Sequence, residues 1–211
     1  MPELTLHATS QWDSPWVFHA MVALEEKGLP YRLEVESTPL SAARKAELRE
    51  RSIIGKLPIL AHGDVWISES LAISEYLAER FPAPDHPRLF PADLAQRARA
   101  RQLMSALRTS MLGLREDRPT SSVFGRPTAK PLSDRGKADA DELVRIASAL
   151  LPAGGGPLFG EWCIADADLA LMLMRLVANG DEVPPHVAAY TVSQWDRRSV
   201  GKFLSHLPTT R

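Results

Sequence analysis

The 211-residue chain contains a single cysteine, Cys163. One cysteine cannot form a disulfide within the chain, so the disulfide-framework class of secreted domains is excluded and we expect a cytoplasmic location. The N-terminal segment MPELTLHATS lacks a basic stretch followed by an apolar run, so we expect no signal peptide. No apolar run approaches the roughly 20 residues that a membrane-spanning helix needs, and we expect no membrane attachment.

The chain also lacks an excess of charge of either sign. It has 25 basic and 26 acidic residues and a formal net charge of −1. No broad electrostatic field would therefore attract nucleic acid or an anionic membrane surface. The six histidines are scattered, without His-x-x-x-His or Cys-x-x-Cys spacing, so we expect no metal cofactor.

The first 80 residues alternate between strand and helix patterns. Apolar residues at 17, 20, 21 and 24 have helical spacing, and Gly28 followed by Pro30 would end that helix. YRLEVE at 31–36 alternates with period two, as a half-buried strand does, and two apolar runs flank His62-Gly63-Asp64 as in a hairpin. Strands are predicted at 4–8 and 31–36, with a two-stranded hairpin at 57–67, and helices from residue 16, at 41–50 and from residue 69. The predicted order is therefore strand, helix, strand, helix, strand, strand, helix.

Four prolines follow within residues 82–91, which predicts a linker at 83–91 between a small α/β domain (1–82) and an all-helical domain (92–211). In the second domain, a long apolar pattern predicts one helix over 92–118, and a proline-marked stretch predicts a loop at 119–132. The segment at 166–177 is apolar nearly all round and should be the buried central helix. Further helices are predicted around 143–151, 186–195 and 197–206.

Three dipeptides at element boundaries are candidates for a functional site. Ser14-Pro15 has the residue types of a helix N-cap and first helical position, yet a capping serine keeps a proton to donate. Leu57-Pro58 begins an apolar run, as an ordinary strand start or as a cis peptide that turns Leu57 toward a ligand. Glu69-Ser70 opens a helix, either as a cap or as a pair that grips an amino-acid head group.

The order of these dipeptides, with Lys56 before Leu57 and a buried helix in the second half, resembles the cytosolic glutathione S-transferases. The stretches REDRPT (115–120), FGEWCIADADLAL (159–171) and GDEVP (180–184) are most similar to the bacterial YfcF-like branch. The resemblance covers essentially the whole chain. It implies a thioredoxin-like glutathione-binding domain followed by a helical bundle, with glutathione as co-substrate.

The resemblance also implies roles for individual residues. Ser14 matches the serine that hydrogen-bonds the glutathione sulfur, and the main chain of Leu57 would pair with the cysteinyl part of glutathione. Glu69 and Ser70 match the pair that holds the γ-glutamyl end. Lys56 matches a basic residue that reaches the glycine carboxylate in some classes. Whether Arg44 or Lys45 assists it is left open.

Two further predictions concern the second domain and the electrophile. Ile164-Ala165-Asp166 matches the family's capping box, but Cys163 stands where the family usually has serine or threonine, so only the half made by Asp166 is expected to be strong. The resemblance implies a buried structural role for Cys163. Trp12 and Arg108 are candidates to line the substrate pocket.

The predicted activity depends on the thiol of glutathione, which reacts as the thiolate. The ordinary pKa of such a thiol is about 8.5, so we expect the protein to stabilise the thiolate. Residues 1–80 contain no cysteine, which favours conjugation of glutathione to electrophiles, or glutathione-dependent peroxide reduction, over disulfide exchange through the protein. We expect a homodimeric detoxification enzyme. The alternatives are a non-enzymatic interaction module of the same fold, or a glutathione-dependent isomerase or dehalogenase.

Overall fold

The computed structural model describes residues 3–208. The chain divides after Leu89 into two compact units, and Ser205–Leu207 group with the first of them. The division falls inside the segment 83–91 that the prolines mark as a linker. The grouping of Ser205–Leu207 with the first unit has no counterpart in the sequence pattern.

The first unit contains a four-stranded sheet in the order β2-β1-β3-β4. Strand β1 (Leu4–Thr9) pairs in parallel with β2 (Tyr31–Glu36) and antiparallel with β3 (Ile59–His62), which forms a hairpin with β4 (Val65–Ser68). The hairpin turns at Gly63, whose φ of +62° glycine adopts without steric cost. The order of strands and helices predicted for this unit is confirmed.

Three helices pack on this sheet: α1 (Pro15–Glu26), α2 (Ala42–Ser52) and α3 (Ser70–Arg80). Helix α1 is buried at every position from Val17 to Leu24 and packs against α3. Their C-terminal ends are joined by the buried Lys27, whose ammonium donates to the carbonyl of Phe81. Helix α2 is polar and buries only Leu48 and Ser52, so it depends on polar contacts for its position.

The named elements of the second unit, among its described residues, are seven helices: α4 (Leu94–Thr109), α5 (Leu112–Asp117), α6 (Thr120–Phe124), α7 (Asp134–Leu150), α8 (Ile164–Val177), α9 (Pro185–Trp195) and α10 (Arg198–Leu204). Helix α8 is buried from Ile164 to Leu176, which confirms the predicted central helix. Within its first turn Asp166 accepts hydrogen bonds from the N–H groups of Leu158 (2.9 Å) and Cys163 (3.0 Å). The half of the capping box made by Asp166, which was expected to be the stronger, is therefore present.

The prediction of one helix over 92–118 is wrong. Helix α4 ends at Thr109, and Met111 adopts a left-handed conformation (φ +58°) before α5 begins. The reason is tertiary, because Gly113 in α5 approaches α7 so closely that a Cβ would lie 2.6 Å from Cγ of Arg135. A straight continuation of α4 would not follow this turn toward α7.

The loop predicted at 119–132 is also interrupted, because it contains the short helix α6. Two side-chain contacts attach this segment to the end of α8. The amide oxygen of Asn179 accepts from the N–H of Thr128 (2.7 Å), and its amide nitrogen donates to the hydroxyl of Ser122 (3.0 Å). The partners lie more than 50 residues apart, so local sequence could not indicate these bonds.

Candidate functional site

The three candidate dipeptides lie at one end of the sheet. In the antiparallel register His7 of β1 lies opposite Ile59, and Ile59 lies opposite Ser68 of β4. The C-terminal ends of β1 and β4 therefore meet the N-terminal end of β3. The segments that follow or precede these strand ends carry Ser14, Leu57-Pro58 and Glu69-Ser70.

Ser14 is the N-cap of α1, and its Oγ accepts a hydrogen bond from the N–H of Val17 (3.4 Å). Pro15 occupies the first helical position, where its missing N–H has no cost. Ser14 is half-buried, and no acceptor for its hydroxyl proton is found within residues 3–208. The side chain can thus cap the helix and still donate to an anion held at the helix N-terminus.

The loop between β1 and Ser14 is attached at two points. Ser10 donates its N–H to the carbonyl of Glu36 (3.0 Å), and its hydroxyl lies 3.1 Å from that of Thr38. Trp12 is 7% exposed, has a φ of +55° and stacks on the ring of His206 with centroids 4.3 Å apart. Ser10 therefore has a structural role in this loop, whereas Ser14 lies at the start of the helix.

The peptide bond between Leu57 and Pro58 is cis. Leu57 precedes β3, and its N–H and C=O make no backbone hydrogen bond within residues 3–208. Lys56 is exposed, with no ion pair or hydrogen bond to any described residue. The main chain of Leu57 and the ammonium of Lys56 are thus both available to a ligand.

Glu69 has a φ of +70° and a ψ of 114°, although it is not a glycine. Such a conformation costs on the order of 1–3 kcal/mol and persists where the surroundings fix it, often at a functional site. The carboxylate is exposed and does not cap α3, whereas Ser70 is 1% exposed. The strained backbone directs an acidic side chain outward from the beginning of α3.

Of the two basic candidates on α2, Arg44 is engaged within the protein. Its Nε and Nη2 donate to the two carboxylate oxygens of Glu36 (3.1 and 2.5 Å), and its Nη1 donates to Glu47 (2.6 Å). Lys45 is exposed and makes no such contact to the described residues. Sequence reasoning did not find Glu36, because no periodicity relates the end of β2 to the first turn of α2.

Two residues of the second unit were singled out from the sequence. Arg108 forms a bidentate ion pair with the buried Asp168, through Nε (2.8 Å) and Nη2 (3.1 Å). Cys163 is buried, and burial together with the charge of Asp166 raises the pKa of its thiol. Its buried position agrees with a structural role. The assignment of Trp12 and Arg108 to a substrate pocket stays a prediction.

Residues 3–208 contain no group of three or more histidine, cysteine or acidic side chains placed to hold a metal ion. Over the same range, no helix combines the length and apolar character that crossing a membrane requires.

Two family models match the chain. One describes the N-terminal domain of glutathione S-transferase and covers residues 13–80, and the other describes the C-terminal domain and covers 93–208. The chain belongs to the glutathione S-transferase family. The predicted fold class, a thioredoxin-like domain followed by a helical domain, is confirmed with it.

Individual glutathione S-transferases are also similar to this chain in sequence or in fold. A solved glutathione transferase homolog from Burkholderia, with bound glutathione, is 35% identical, with 96% of this chain and 97% of that chain covered and a TM-score of 0.79. Glutathione S-transferase U13 from Arabidopsis thaliana is 36% identical over 97 residues, which are 46% of this chain and 42% of that protein. The chain thus spans less than half the length of this curated relative. A Tau class enzyme from mango, at 22% identity and a TM-score of 0.72 over 96% of this chain and 92% of that one, shares the fold.

Proposed function

We propose that the protein is a glutathione transferase of the serine type, in which Ser14 stabilises the thiolate of glutathione. The observation that carries the proposal is the double role open to Ser14 Oγ. It accepts from Val17 N–H as the cap of α1, and its proton remains to be donated. The Burkholderia homolog with bound glutathione supports the choice of ligand.

The roles proposed for the remaining residues are supported by their positions at the same end of the sheet as Ser14. The free N–H and C=O of Leu57 suit an extended peptide that pairs with the main chain, which would place the cysteinyl sulfur toward Ser14. The exposed carboxylate of Glu69 suits the ammonium of the γ-glutamyl group, with the N-terminus of α3 at Ser70 suiting its carboxylate. Lys56 is available to the glycine carboxylate.

Thiolate stabilisation is the central chemical step. A hydrogen bond donated by Ser14 and the positive end of the α1 dipole both favour the charged form of sulfur, and each unit of pKa depression corresponds to about 1.4 kcal/mol. The thiol proton passes to solvent, the thiolate attacks the electrophile, and a thioether forms as the leaving group departs with its electron pair. With a peroxide, two glutathione thiols are oxidised to the disulfide while the peroxide is reduced to an alcohol and water.

The test is Ser14→Ala, assayed by conjugation to an aryl halide and by peroxide reduction. We expect kcat/KM to fall at least about tenfold while the Kd for glutathione changes little, because the donor acts on the thiolate. The pKa read from the pH–rate profile should rise. Unchanged turnover and pH profile would show that Ser14 has no role in activating sulfur.

Two matched variants distinguish loss of the Ser14 hydroxyl from a general disruption of this loop. Ser14→Thr keeps both the acceptor and the donor, and should retain most of the activity. Ser10→Ala removes a hydroxyl of the same loop that contacts Thr38, and should leave the pH–rate profile unchanged. If Ser10→Ala reproduces the Ser14→Ala profile, the effect comes from loop disruption and the proposed role of Ser14 is wrong.

The first alternative function is that of a non-enzymatic interaction module of the same fold. Such a protein would not be retained on immobilised glutathione, and Glu69→Ala would not change its behaviour in this assay. A screen of isomerisation and dehalogenation substrates distinguishes the remaining alternative. The YfcF-like affiliation, the homodimer and the cytoplasmic location stay predictions.

A further inference from the structure

Helix α2 is held to the sheet mainly by polar contacts at its two ends. At its C-terminal end the guanidinium of Arg51 lies 4.0 Å from the ring centre of Trp66, and Ser68 Oγ donates to the carbonyl of Ser52 (3.0 Å). At its N-terminal end Arg44 forms an ion pair with Glu36 at the end of β2. Because the helix buries little apolar surface, loss of either contact should free one end of it.

Glu36 is the last residue of β2 and its side chain is 13% exposed. Besides the two bonds from Arg44 its carboxylate contacts Nδ1 of the buried His7 (2.9 Å), whose ring lies against Trp66. The hydrogen bonds from Arg44 lower the pKa of this carboxyl, against the effect of burial. A bidentate arginine–carboxylate pair fixes orientation as well as distance.

The N-terminus of α2 follows β2 and therefore lies at the end of the sheet that carries the candidate site. Its first turns hold Lys45, an exposed cation with no partner among the described residues. In the proposed function the γ-glutamyl end of glutathione lies at Glu69, so the glycyl end extends away from α3. The cations left for it are Lys56 and Lys45.

We propose that Glu36 is a positioning residue, which holds Arg44 and so fixes the N-terminal half of α2 at the glycyl end of bound glutathione. The inference rests on the proposed function and adds to it a residue that does not itself touch the ligand. Its effect should be confined to one end of the ligand, because Ser10 bonds to the main chain of Glu36 and the β1–α1 loop keeps that bond when the side chain changes.

The test compares glutathione with its glycyl monoethyl ester, in which an ethyl group replaces the carboxylate charge at that end. Calorimetric Kd values are measured for the unchanged protein, for Glu36→Gln and for Arg44→Lys, which keeps the charge but not the bidentate geometry. We expect both variants to bind glutathione at least about fivefold more weakly and the ester less than about twofold more weakly, with turnover at saturating glutathione retained.

The matched control is Glu34→Gln on the same strand. The Glu34 carboxylate forms an exposed pair with Arg32 (3.1 Å), so this variant should leave the affinities for glutathione and for the ester unchanged. Equal weakening of glutathione and ester, or no weakening, overturns the role of Glu36. If the unchanged protein binds neither ligand, the proposed function fails and the inference fails with it. Circular dichroism spectra confirm that each variant is folded before titration.

Discussion

At the scale of single residues, Asp166 organises the beginning of α8. Its side chain is buried and accepts from Leu158 N–H, Cys163 N–H and the hydroxyl of Tyr190 (2.8 Å). Burial raises the pKa of this carboxyl, and the three donors oppose the rise. One carboxylate thus satisfies donors from the loop before the helix, from its N-cap residue and from α9.

We predict that Asp166→Ala lowers the free energy of unfolding by about 3 kcal/mol, because three buried donors lose their acceptor. Urea unfolding followed by circular dichroism measures the change. Asp134→Ala is the matched control, since Asp134 is an exposed acid in the first turn of α7 and should contribute about 0.5 kcal/mol. Similar losses in the two variants would show that Asp166 acts only through the helix dipole.

At the scale of elements, the close contact of α5 with α7 depends on glycine. A Cβ on Gly113 would lie 2.9 Å from backbone atoms of Arg135 and Gly136, and a Cβ on Gly136 would lie 1.9 Å from a carboxylate oxygen of Asp117. That oxygen accepts from both the N–H and the hydroxyl of Ser133, the N-cap of α7. The close contact of α5 with α7 thus accounts for the end of α4 at Thr109. It also places Asp117 where its carboxylate supports the N-cap of α7.

We predict that Gly113→Ala destabilises the protein by about 1–3 kcal/mol, because the backbone of α7 cannot move away cheaply. Gly201→Ala in α10 has no heavy atom within 4 Å of the new Cβ and should stabilise by about 0.5–1 kcal/mol through helix propensity. Thermal unfolding of both variants provides the measurement. A stabilising Gly113→Ala would mean that α5 does not approach α7 closely.

At the scale of the whole molecule, the single thiol reports on unfolding. Cys163 lies at the N-cap of the central helix and is buried, and burial raises the pKa of its thiol. A thiol that is both neutral and buried reacts slowly with alkylating reagents. Its modification therefore requires opening of the second unit around α8.

We predict that a maleimide labels Cys163 at least about a hundredfold more slowly than a thiol placed at Ser148→Cys, an exposed position on α7, in a Cys163→Ala background. In urea, labelling of Cys163 should follow the unfolding transition. Cys163→Ala alone should keep the proposed transferase activity, because the proposed nucleophile is the ligand's thiol. Rapid labelling in the native protein would contradict the buried position of α8.

The helix starts at two of the candidate dipeptides could be predicted, because each has a local cause. Ser14 caps a helix whose first residue is proline, and Glu69-Ser70 follows a strand and opens a helix. The left-handed backbone of Trp12 and Glu69 could not be predicted in this way. For residues other than glycine, such a conformation is imposed by the surroundings and not by local preference.

By itself, the sequence determined the order of strands and helices in the first unit, the buried helix α8 and the three dipeptides, because hydrophobic period, proline and capping residues act locally. Only the tertiary structure decided that α4 ends at Thr109, that Arg44 pairs with Glu36 and that the three dipeptides lie at one end of the sheet. These features arise from strand register and from close contacts between residues distant in the chain. No local pattern encodes such contacts, since their free energy exists only when both partners are in place.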